Sequence, residues 1–142
     1  MKIANIKRFF IIILSIFFLT SCENFYSKVY DKKIKEKTIS CISFKGDGSK
    51  TSKLIKNTLK KERIPIKENC PYTLKPSYKL VSECDNPSVK SIGADFDGFL
   101  RFEIFDKDKL VYRCQMDWKG EFGEKRVKDL IKEMKKDLKF SN

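Results

Sequence analysis

Between Gly98 and Trp118 two runs of alternating apolar and polar residues face each other across a short polar turn, and no other stretch restricts the fold as tightly. The first run is Gly98 to Phe105 (GFLRFEIF), the turn Asp106 to Lys109, and the second run Leu110 to Trp118 (LVYRCQMDW). In the second run Leu110, Tyr112, Cys114, Met116 and Trp118 fall on one side, while Val111, Arg113, Gln115 and Asp117 fall on the other. A period of two is the period of a strand, so the pattern predicts an antiparallel hairpin with one buried face.

The flanking sequence supplies what that face packs against. After Gly120 and Gly123 the spacing changes to that of a helix, predicted from Glu124 to about Leu138. Val127, Leu130, Ile131, Met134 and Leu138 recur at i, i+3, i+4, i+7 and i+11, a stripe wide enough to dock on a sheet. Upstream, Thr38 to Phe44 (TISCISF) reads as a strand closed by the Gly46-Asp47-Gly48 turn. Ser49 or Thr51 then caps a helix over roughly Lys50 to Glu62, with Leu54, Ile55, Thr58 and Leu59 on one side and lysines elsewhere. Arg63 to Lys67 reads as a brief strand, and Asn69-Cys70-Pro71 and Pro76 punctuate the chain before a strand over Tyr78 to Cys84. The order strand, helix, strands, helix predicts an α+β fold: an antiparallel sheet with two helices packed on one face.

The N-terminus has a different character. Lys2, Lys7 and Arg8 precede Phe9 to Leu19 (FFIIILSIFFL), an apolar run too short to span a bilayer comfortably. It ends in Leu19-Thr20-Ser21-Cys22, which resembles the lipobox of bacterial lipoproteins, a resemblance confined to the first 22 residues. It implies a signal peptide over residues 1–21, cleavage before Cys22, and acylation of that cysteine with diacylglycerol and palmitate-type chains, two or three in all, enough for stable anchoring. An ordinary signal peptide, or an uncleaved anchor, that happens to contain a cysteine is the alternative. The residue after Cys22 is Glu23 and not the Asp that retains enteric lipoproteins in the inner membrane. The resemblance therefore favours the outer membrane, with the domain facing the periplasm or the cell surface. Residues 22–37, rich in lysine and without strong periodicity, read as the lipidated cysteine and a flexible basic tether. On that tether Phe25, Tyr26 and Tyr30 either sit among headgroups or pack back on the domain, which is expected to occupy residues 38–142.

Composition narrows the chemistry. The chain contains no histidine, which removes the commonest general base and the usual Ser-His and Cys-His dyads. Asp95 with Asp97 and Asp106 with Asp108 offer paired carboxylates, but both pairs flank strands where turns collect aspartate. Gly46-Asp47-Gly48-Ser49-Lys50-Thr51 lacks the glycine spacing of a phosphate-binding loop and reads as a turn with a helix cap. Beyond Cys22 four cysteines remain, an even number in a small exported domain, and two disulfides are the natural reading. Cys70–Cys84 and Cys41–Cys114 are the favoured pairs, with free thiols or zinc as alternatives. No catalytic, cofactor-binding or metal-binding residues are assigned.

With 31 cations against 19 acids the chain carries +12, and without the first 21 residues still +9, from 28 cations and the same 19 acids. A basic field favours anionic partners, although lysine enrichment in an A+T-rich genome produces the same composition. The expected role is therefore non-enzymatic: a membrane-anchored envelope lipoprotein that binds an envelope protein or an anionic envelope polymer, with nucleic acid excluded as a partner. The alternatives are an adhesin-like surface lipoprotein or an accessory to a small envelope enzyme.

Overall fold

The computed structural model describes residues 23–80 and 96–141. In chain order the elements are β1 (Asn24–Val29), α1 (Lys33–Glu36), β2 (Thr38–Ile39), β3 (Ile42–Phe44), α2 (Lys50–Lys61), β4 (Tyr72–Leu80), β5 (Gly98–Asp106), β6 (Lys109–Trp118), α3 (Glu124–Asp137) and β7 (Lys139–Phe140). Five strands form one sheet in the order β1-β6-β5-β4-β3, antiparallel except for the β3–β4 pair, and β2 with β7 forms a small parallel pair. The fold is α+β.

The β5–β6 hairpin is the centre of the sheet, and its alternation decides which face is covered. Register pairs Leu100 with Met116, Phe102 with Cys114 and Ile104 with Tyr112, and all six side chains are buried. Leu74 of β4 lies opposite Ile104 and continues this face. Onto it pack Ile55 and Leu59 from α2 and Val127, Leu130, Ile131 and Met134 from α3, all fully buried in one cluster. Fully burying such aliphatic side chains contributes on the order of 1.5 to 3 kcal/mol each. A bulge interrupts the register where Phe105 faces Leu110, which leaves Val111 as the extra residue. The Val111 carbonyl accepts hydrogen bonds from the Tyr30 and Asp31 amides, at 2.9 and 3.3 Å, and so fastens the end of β1 to the hairpin.

Three expectations are corrected. The segment expected to be a tether is folded: β1 pairs antiparallel with β6 from Asn24 opposite Asp117 to Val29 opposite Tyr112, and α1 buries Ile34. Little apolar alternation marks this strand, because Asn24 to Lys28 are all exposed and within it Val29 alone packs against the core. Thr38 to Phe44 is two short strands instead of one, with the chain leaving the β2–β7 pair before Ile42 enters the main sheet. Finally, β4 starts at Tyr72 and runs through Pro76. Since β3 ends at Phe44, opposite Leu74, Pro76 lies at an edge of the kind that tolerates proline.

Candidate functional site

The residues considered for chemistry at the outset serve mostly as local structure. Asp47 Oδ1 accepts the Ser49 amide at 2.9 Å, the Tyr78 hydroxyl donates to Asp47 Oδ2 at 2.8 Å, and Ser49 Oγ caps α2 by accepting the Ser52 amide at 3.0 Å. The Ser49 amide and hydroxyl and the Tyr78 hydroxyl hold the Asp47 carboxyl below the usual range. The polar groups of the glycine-rich turn are therefore committed to one another, as in a turn with a cap. Asp106 and Asp108 flank Lys107, which sits at φ 55° in the hairpin turn, and Asp97 Oδ2 accepts the Gly120 amide at 2.7 Å. Asp95 lies outside the described residues. Among the described residues no three cysteine or carboxylate side chains cluster as metal ligands.

The cysteine pairing differs from expectation. Cys41 is bonded to Cys70, and Cys114 is a buried free thiol. Cys114 sits on β6, whereas Cys41 immediately precedes β3, and β5 and β4 lie between them. Three strand spacings of roughly 4.8 Å put those backbones about 14 Å apart, twice the roughly 7 Å that a disulfide allows. Cys41–Cys114 is therefore excluded by topology, and Cys70–Cys84 because Cys70 is already bonded. Cys84 and Cys22 lie outside the described residues. Burial pushes the Cys114 thiol up to about 12, so it is not poised as a nucleophile.

Two basic surfaces remain. The uncovered face of the sheet carries Lys28, Lys75, Lys79, Arg101 and Arg113 with Glu103 and Asp117, by the strand register. Most of these cations are engaged. Arg113 Nη2 lies 2.6 Å from Glu103 Oε1, Arg101 Nε donates to Gln115 Oε1 at 2.8 Å, and Lys75 and Lys28 lie 4.3 and 4.9 Å from the ring centres of Phe105 and Tyr30. The face is a self-satisfied polar and aromatic layer.

The second surface is a cleft of about 500 Å³ between α2, β3 and the segment leading to Cys70. Lys45, Lys56, Lys60 and Lys67 line it with Glu68, Asn69, Ser43 and Thr73, over Phe44 and Ile66. The helical pattern of the sequence puts Lys56 and Lys60 off the apolar side of α2. Lys45 and Lys67 join them only because Ile42 bridges Ile66 in parallel, with the Lys67 amide donating to the Ile42 carbonyl at 3.1 Å. The legible signal was the i, i+4 lysine pair; the long-range bridge that completes the cleft was not.

No protein-family model matches the chain, and no curated protein matches it at a significant level. Among solved structures, the dodecamer of a PelC variant from Paraburkholderia phytofirmans aligns over 84% of this chain and 99% of that chain, with a TM-score of 0.47 and 10% identity. A likeness at that level stays below what defines a shared fold.

Proposed function

We propose that the chain is a membrane-anchored bacterial envelope lipoprotein, cleaved before Cys22 and acylated there, whose domain binds an anionic envelope component and does not act by catalysis. The observation that carries this reading is the Leu19-Thr20-Ser21-Cys22 sequence after its basic and apolar run, with the sheet beginning close behind it. Asn24 opens β1 two residues after Cys22, so at most about 7 Å of chain can separate the acylated cysteine from the sheet edge. Glu23 forms an ion pair with Arg126 of α3, which holds the intervening residue against the domain.

Anchored this way, the domain rests against the bilayer instead of hanging from a tether, and its partner meets it at the membrane surface. The net charge of the mature chain and the lysine cleft support an anionic partner, and the Glu23 that follows Cys22 favours the outer membrane. Among the described residues no helix is long and apolar enough to cross a membrane. The test is metabolic labelling with palmitate together with fractionation. The wild-type chain should take up label and sediment with membranes, and Cys22→Ala should lose the label. A Cys22→Ala chain that still fractionates with membranes as a cleaved protein would overturn the proposal.

A further inference from the structure

We infer that the lysine cleft between α2 and the Cys41–Cys70 disulfide is a binding site for a phosphorylated saccharide. The inference rests on the reading of the domain as a binder of an anionic envelope component, and it names the site and the ligand class.

Several cations elsewhere on the surface are compensated. Lys61 pairs with Glu124, Lys109 with Asp31, Lys125 with Asp129, Lys136 with Glu133 and Arg113 with Glu103. The cleft differs in concentration: among the described residues Lys45, Lys56, Lys60 and Lys67 form no ion pair, as some other surface lysines also do not, but here four of them line one concavity in which Glu68 is the single acid. Lys56 and Lys60 stand one turn apart on α2, an arrangement in which like charges repel and weaken a helix. Four lysines against one carboxylate around a concavity attract multiply charged anions far better than the same charges spread over a convex surface.

The shape and lining add to the charge. A volume of about 500 Å³ suits a compact ligand and exceeds the needs of a lone phosphate. Phe44 and Ile66 offer apolar surface to the C–H face of a sugar ring, and Asn69 and Thr73 offer polar groups to its hydroxyls. The wall is built in advance: Cys70 is covalently tied to Cys41, and its amide donates to Ser43 Oγ at 3.0 Å. A wall already ordered loses little further freedom when a ligand arrives.

Isothermal titration calorimetry on the full-length protein in detergent tests this with three probes: a glucosamine disaccharide carrying two phosphates, the same disaccharide without phosphate, and inorganic phosphate. The bisphosphorylated disaccharide should bind, inorganic phosphate should bind at least tenfold more weakly, and the bare disaccharide should give no signal. Lys56→Gln with Lys60→Gln should weaken binding at least tenfold, and so should Lys45→Gln with Lys67→Gln, which changes no helix residue. Lys107→Gln with Lys139→Gln removes the same charge away from the cleft and should change affinity less than twofold. Equal losses in all three double variants, equal affinity for inorganic phosphate, or no binding of the bisphosphorylated probe would each overturn the inference. The titration does not depend on acylation at Cys22, so its failure leaves the anchor standing, and failure of palmitate labelling leaves the cleft standing.

Discussion

Cys41 and Cys70 are joined across 29 residues with their Cα atoms 5.7 Å apart, and the loop they close contains β3 and the whole of α2. In the chain-entropy picture a loop of that length restricts the unfolded ensemble by about 3 to 4 kcal/mol. Cys70→Ser is expected to lower the unfolding free energy by an amount of that order, read from urea denaturation. Non-reducing peptide mapping should recover Cys41 linked to Cys70, with Cys114 alkylated only after unfolding, because it is buried on a central strand. A peptide joining Cys70 to Cys84 would contradict the structure.

Gly98 is held to its size by its neighbours. A Cβ there would lie 2.6 Å from the Lys79 carbonyl oxygen and 2.7 Å from Trp118 Cζ2, between a backbone atom and the largest buried side chain. Neither can withdraw without disturbing the β4–β5–β6 register, where Gly98 faces Leu80 on one side and Trp118 on the other. Gly98→Ala should destabilise the domain by roughly 1 to 3 kcal/mol. Thermal melting checks this, and an unchanged midpoint would show that the close approach is relieved cheaply.

The elements that local periodicity specifies were legible and those that depend on distant pairing were not. The hairpin alternation through Tyr112, Cys114 and Met116, and the α3 stripe from Val127 to Leu138, appear in the structure as buried faces, because each pattern records one element's exposure to one core. Strand β1 carries almost no such record, since Asn24 to Lys28 are exposed and within it Val29 alone packs against the core. The β2–β7 pair joins Thr38 and Ile39 to Lys139 and Phe140, about a hundred residues away, and two-residue strands give no period to read. The disulfide was mispaired for a related reason. Cys41 and Cys70 meet because β3 runs parallel to β4, a crossover that a layout of antiparallel neighbours did not anticipate.

Acid should weaken the fold through three carboxylates whose affinity for protons is reduced in the native state. Asp31 is held down chiefly by the hydrogen bond from Lys109, at 2.9 Å, Asp47 by the Ser49 amide, and Glu124 by Lys61. Each has a native pKa below its unfolded value, so its contribution is fully present above the unfolded carboxylate range and is lost as pH falls toward the native values. Urea midpoints should stay level between about pH 7 and pH 5 with respect to these groups, and decline below about pH 4. Asp31→Asn with Lys109→Gln should flatten part of that decline. A decline of equal steepness in the double variant would show that this pair does not contribute.

The proposed lipid site, Cys22, precedes by two residues Asn24, where the first strand begins. Intact-mass spectrometry of the protein extracted from native envelopes tests it most directly. The expected chain begins at Cys22 and is heavier than the unmodified residues 22–142 by the mass of a diacylglyceryl group, with or without a further acyl chain. A chain that retains residues 1–21, or one that begins at Cys22 or beyond without lipid, would contradict it.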